Sequence, residues 1–217
     1  HDEVVNQTQK YFKFGNEKKA FEFEKLLPNN DKSRVHLHHK KTEQAHVVVG
    51  FPAYEEEHKD HYVEKVLSVI LGGNMSSRMF LAVRESKGLA YYVQTSTDDY
   101  LDTGIISTRA GVDVKRAHLA VDAICEEYRK IRGEVVPDAE LTKAKEYLKG
   151  KLVLRLEDSE EYAHLIGKYE LLHGEKKTPE ELMESIDKVT AADVARVSED
   201  LFQDKNLRLA AIGPYDK

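Results

Sequence analysis

The sequence predicts an α+β fold in which a mixed, largely antiparallel sheet carries helices packed on it, and two observations support that expectation. Short runs rich in aromatic and branched residues sit early, in the middle and at the end of the chain, whereas long 3.6-period segments fill the stretch after Asp113. Their order is strands, two helices, a strand pair, several helices and a strand, which does not alternate strictly enough for a doubly wound parallel sheet. No Gly-, Pro- or Ser-rich linker, low-complexity tract or internal repeat interrupts the chain, so residues 1–217 are expected to form a single domain.

The elements follow in order. Residues 18–27 (KKAFEFEKLL), 34–40 (RVHLHHK) and 43–51 (EQAHVVVGF) read as three strands, the first two separated by Pro28-Asn29-Asn30-Asp31 and the third the most buried. From Asp60 to Leu71, Tyr62, Val63, Val66, Leu67, Ile70 and Leu71 recur at spacings of three and four, giving a core-facing helix stopped by Gly72-Gly73. Ser76 or Ser77 is placed to cap a second helix that presents Met79, Phe80 and Val83 and ends at Gly88. Residues 89–97 and 103–110 form a strand pair around a polar loop centred on Asp98 and Asp102. Helices are expected over 114–132, 138–156, 159–173 and 179–187, then over 191–202 with Thr190 as the cap. Leu207 to Ile212 makes the last strand.

Composition narrows the function classes. With 41% hydrophobic and 33% charged residues well mixed, the chain can bury a core and is not expected to be disordered. The formal charge of −6 has the wrong sign for a protein that lives by phosphate contacts, so no nucleic-acid partner is expected. No apolar run approaches the ~20 residues that cross a bilayer, and the first residues lack the layout of a secretory signal, so no membrane partner is expected. The first residue is His1 rather than Met, which implies that the chain starts inside a longer product or after processing. Cys125 has no second cysteine to pair with and falls in a helical apolar rhythm, so it reads as a buried inert thiol that suits a reducing, cytoplasmic setting.

The chemistry-bearing stretch is 71–93, LGGNMSSRMFLAVRESKGLAYYV, where a glycine-broken turn, a helix and a strand are packed into few residues. Arg84 lies near the end of the helix, Gly88 permits a sharp exit, and Tyr91 lies at the start of the next strand, so two donors can point into one groove. A guanidinium and a phenol hydroxyl suit peptide carbonyl oxygens and the oxyanion that develops when water attacks one. Tyr92, by simple alternation, faces the other side of the strand and is assigned to packing. Spacing alone leaves open a plainer reading, with Arg84 a solvated helix-end residue and Tyr91 a half-buried sheet residue.

The same stretch resembles a signature of the carboxyl-terminal half of the insulinase and mitochondrial-processing-peptidase (pitrilysin-type) family of zinc peptidases. The family pattern runs L-G-G-G-x-S-S-R-L-F and then R-E-x-x-G-L-A-Y; here Asn74 replaces a glycine and Met79 a leucine. A looser likeness runs from Glu43-Gln44-Ala45-His46 through Phe51-Pro52, then through Glu140 to Lys145, to the Ile212-Gly213-Pro214 ending, covering nearly the whole chain. The resemblance implies a metallopeptidase half-domain that holds substrate with Arg84 and Tyr91. Its zinc and the activating glutamate would reside in an amino-terminal half bearing H-x-x-E-H, on the same chain or on a partner subunit. The implied substrate is a peptide or unfolded polypeptide. A noncatalytic structural or binding subunit of the same family stays open, as does a homo-oligomer.

Ten histidines raise a third reading, a metal protein in its own right, with His36 and His38 on one strand face, His46 in the next strand, and His58 with His61 at helical spacing. No H-x-x-E-H string occurs, and His58-Lys59-Asp60-His61 lacks both the four-residue spacing and the base, so no cofactor is expected in this segment. There is no G-x-S-x-G elbow and no phosphate loop, and Glu55-Glu56-Glu57 reads as a solvated run before a helix.

Overall fold

The computed structural model describes residues 1–12, 24 and 33–215. The strand expected over 18–27 lies, apart from Glu24, outside the described residues. Helix α1 (Asp2–Tyr11) comes first and buries none of its side chains. Five strands then form one sheet: β1 (Val35–His39), β2 (Gln44–Ala53), β3 (Ala90–Asp99), β4 (Gly104–Asp113) and β5 (Arg208–Gly213), in the spatial order β1-β5-β2-β4-β3. Only the β1–β5 pair is parallel, so the sheet is mixed and largely antiparallel, as expected.

The helices pack on one side of this sheet. They are α2 (His61–Gly72), α3 (Ala117–Gly133), α4 (Asp138–Leu156), α5 (Ser159–His173), α6 (Pro179–Asp187) and α7 (Ala191–Leu201). Alternation selects the packed face. Ala45, Val47, Val49 and Phe51 of β2 and Ile106, Thr108, Ala110 and Val112 of β4 are buried, facing Val66, Leu67, Ile70 and Leu71 of α2 and Ile124, Tyr128 and Ile131 of α3. The opposite face carries His46, Pro52, Ile105, Arg109 and Asp113, all exposed, and no helix of the described residues packs on it. Pro52 fits a central strand because β5 pairs with β2 only as far as Gly50, leaving that flank without a ladder partner among the described residues.

Three aromatic rings weld the layers. Phe51 of β2, Tyr128 of α3 and Phe202 after α7 meet edge-on or tilted at centroid distances of 5.0, 5.1 and 4.7 Å. The Tyr128 hydroxyl, with no solvent to serve it, bonds to Thr108 Oγ1 at 2.7 Å, which in turn bonds to Thr95 Oγ1 at 2.8 Å. This chain of bonds serves the buried hydroxyls of Tyr128, Thr108 and Thr95. Both late helices start on capping boxes, Thr178 with Glu181 and Thr190 with Asp193, the second at the expected cap. Arg196 of α7 forks onto Asp60 at 2.8 and 2.7 Å, tying α7 to the start of α2 and holding the Asp60 carboxyl below the usual range.

One buried acid makes the fold sensitive to pH. Glu64, in the first turn of α2, is 1% exposed; its Oε2 accepts from the Tyr54 backbone N–H at 3.2 Å while Oε1 has no protein partner. Burial pushes this carboxyl up to about 7 from 4.5, outweighing the lowering by the Tyr54 N–H. The folded state therefore holds the proton more tightly than the unfolded chain, and stability falls as pH rises from about 4.5 through about 7, then levels. The full penalty is about 3 kcal/mol at 1.36 kcal/mol per pH unit. Urea unfolding at pH 5 and pH 8 should show this loss in the wild-type chain and a flatter profile in Glu64→Gln; equal slopes for both would refute it.

Candidate functional site

The stretch 71–93 folds differently from its sequence pattern in two places, and both shape the site. Ser77 stands just before the helix, its carbonyl accepting from the Leu81 N–H at 3.0 Å, but neither Ser76 nor Ser77 caps it with a side chain. Instead the Asn74 side chain accepts from the Ser76 N–H and hydroxyl, each at 2.9 Å, and Ser77 Oγ donates to the Asn74 carbonyl at 2.6 Å. The segment after it, Phe80–Ser86, is a π-helix rather than an α-helix. Met79 and Val83 are fully buried and anchor it, and Arg78 grips Glu140 of α4 through Nε and Nη2 at 3.0 and 2.9 Å and Glu134 at 3.0 Å. One extra residue per turn lets the chain meet these anchors and still deliver Arg84 outward, a use common to π-helical turns at functional sites.

Gly88 closes the helix in the left-handed region, φ 55°, where a side chain would be strained. Its N–H donates to the Arg84 carbonyl at 3.1 Å, and the Leu89 N–H donates to the Val83 carbonyl at 2.9 Å. Arg116 donates to the carbonyls of Lys87 and Gly88, both at 3.2 Å, fixing the exit from outside. The Arg84 guanidinium is exposed and stands 4.9 Å from the centre of the Phe80 ring. Arg78, Arg109, Arg132, Arg155 and Arg196, by contrast, are each held in an ion pair with a carboxylate.

Strand β3 opens with a bulge. Ala90 pairs with Val112 and Tyr92 with Gly111, so Tyr91 is an additional residue without its own partner on β4. Both tyrosines are exposed, Tyr91 at 57% and Tyr92 at 42%. Tyr92 packs, as expected, on the face opposite buried Val93, its ring against Gly111 and its hydroxyl bonded to His46 Nδ1 at 3.1 Å. Sequence reasoning missed this partner because 46 residues separate the two side chains.

The histidines do not converge. His38 and His46 stand in register with Ile212 between them, two inter-strand steps or about 9–10 Å apart along the backbone. His58 stacks on Tyr54 at 3.9 Å and accepts from the Asp60 N–H, while burial pushes the neighbouring His61 down to about 4. Among the described residues no group of three or more His, Cys, Asp or Glu side chains is placed to hold a metal ion, and the donor set does not fit zinc. Cys125 is buried, and burial raises its thiol above the ordinary range. No helix of the described residues is long and apolar enough to cross a membrane.

Known proteins bear on this geometry. The chain is 33% identical over 220 residues to a protein of Streptomyces coelicolor named an uncharacterized zinc protease, covering 99% of this chain and 48% of that protein. An uncharacterized zinc protease of Bacillus subtilis is 35% identical over 200 residues, covering 92% of this chain and 46% of its own length. The chain thus spans about half the length of the curated relatives it matches. In fold it is similar to a protease of Helicobacter pylori, with a TM-score of 0.86 at 23% identity over 98% of this chain and 52% of that one. A family profile described as the Peptidase M16 inactive domain matches residues 1–148, and with the zinc-protease relatives it shows that the chain belongs to the M16 metallopeptidase family, as the signature around Arg84 and Tyr91 implied.

Proposed function

We propose that this chain is the substrate-binding half of a zinc-dependent endopeptidase, a single domain of the carboxyl-terminal type that works against a zinc-bearing amino-terminal half. The observation that carries the reading is the pair of exposed donors, Arg84 and Tyr91, presented by a π-helix and a bulge on either side of Gly88. Both are built outward by irregular backbone, which a merely solvated arginine and a packed tyrosine would not need. A guanidinium and a phenol hydroxyl bind the carbonyl oxygen of an extended peptide and strengthen their grip as charge develops there, while metal and general base act from the facing half. The relatives' zinc-protease names and their doubled length support this division of labour.

The isolated 217-residue chain is expected to fold and yet to cleave no unstructured peptide, because it offers donors for a carbonyl while its sequence has no H-x-x-E-H to supply ligands and a base, and no metal cluster occurs among the described residues. Activity should appear only with the half that bears the zinc. Chelator-sensitive cleavage by the pure chain would overturn the division. A full-length protein that binds zinc, binds peptide and never cleaves it would favour the noncatalytic subunit instead.

A further inference from the structure

We infer that Tyr92, His46 and Gly111 form a positioning clamp that sets the direction of Tyr91, a role that rests on the reading of Tyr91 as a substrate donor. The three residues lie in one row across the open face, Tyr92 on β3 paired with Gly111 on β4, and Gly111 paired with His46 on β2. The Tyr92 ring crosses the middle strand to reach the far one. A Cβ at Gly111 would lie 2.4 and 2.8 Å from two of its ring carbons, so the ring rests on bare backbone that only glycine supplies. At the far end the hydroxyl meets His46 Nδ1 at 3.1 Å, with the two rings 6.2 Å apart and tilted by 34°.

The position of this bridge gives it a consequence. The bulge falls between Ala90 and Tyr92, where the extra residue has no ladder partner to hold it. On one side Leu89 and the Gly88 closure fix the chain; on the other the first paired residue is Tyr92 itself. Locking the Tyr92 side chain across two strands pins the register immediately after the bulge, so the additional residue can project in one direction only. Tyr92 and His46 touch no reacting atom in this scheme. They act through Tyr91, and a displacement of the donor by about 1 Å is enough to cost up to ~10²-fold in rate.

A double-mutant analysis of the enzyme joined to its zinc-bearing half, read with a fluorogenic unstructured peptide, tests the clamp. Tyr92→Phe, His46→Ala and Gly111→Ala should each lower kcat by about tenfold with little change in KM. Combining Tyr92→Phe with His46→Ala should be no worse than either alone. His46→Asn, which keeps a hydrogen-bonding atom near the Nδ1 position, should restore most of the loss. In a Tyr91→Phe background the Tyr92→Phe change should add nothing, because there is no donor left to aim. If Tyr91→Phe is impaired while Tyr92→Phe and His46→Ala match wild type, the clamp is overturned and the donor reading stands. If Tyr92→Phe costs as much with Tyr91→Phe as without it, Tyr92 meets substrate by itself and the clamp is again overturned. If Tyr91→Phe is silent, or the joined enzyme cleaves nothing, the donor reading falls and the clamp falls with it.

Discussion

Tyr91→Phe in the joined enzyme is expected to lower kcat/KM by about 10²-fold, with folding and zinc content unchanged. The substitution removes one hydroxyl and keeps the ring, and Tyr91 is 57% exposed, so lost packing contributes little. Removing a single oxyanion donor typically costs about 3 kcal/mol of transition-state stabilisation. Arg84→Ala should act in the same range, although it also strips the contact over Phe80. The split between constants assigns the role. A fall in kcat at constant KM marks a donor that tightens only in the transition state, whereas a raised KM at constant kcat marks ground-state binding of the peptide carbonyl. Full activity in both variants across several peptides would end the proposal that these residues hold substrate.

Phe202→Ala should carry the largest loss of stability, about 3–5 kcal/mol, a large part of the 5–15 kcal/mol typical of whole domains. Phe202 is 1% exposed and touches both other rings of the cluster that joins β2, α3 and α7. Truncation removes its burial and leaves a cavity bounded by Phe51 and Tyr128. Both are stiff rings on fixed elements, and Tyr128 is tethered to Thr108 besides, so the site cannot collapse to fill the space. The urea midpoint of the chain reports the change. Leu171→Ala on the outer face of α5, where the residue is 84% exposed, should shift the midpoint by less than the equivalent of about 0.5 kcal/mol. Comparable losses at the two positions would show that the ring cluster is not the core.

The consequence for the site is indirect and specific. β4 backs β3 in the sheet, and Tyr128 reaches β4 through Thr108 and β3 through Thr95, so the ring cluster sits behind the strand that begins with the bulge. Partial loosening there should therefore appear first as weakened protection of the β3 amides. That is a local opening, distinct from global unfolding.

Sequence periodicity alone determined most of the architecture. The alternation of Ala45, Val47, Val49 and Phe51, the three-and-four spacing from Tyr62 to Leu71, and the Thr190 cap each report a local rule, and each element formed where its rule placed it. The string around Arg84 and Tyr91 likewise pointed to the family before any coordinate. Tertiary structure alone decided the details that aim those side chains. A π-helical turn and a bulge each insert one residue into a regular element. One residue leaves no mark on hydrophobic spacing, because its cost is met by contacts far away in sequence: Arg78 to Glu140, Arg116 to the Gly88 carbonyl, and Tyr92 to His46. The contact of Tyr92 with His46 escaped the sequence for this reason: it depends on the register between strands, which is a property of several segments at once and cannot be read from any one of them.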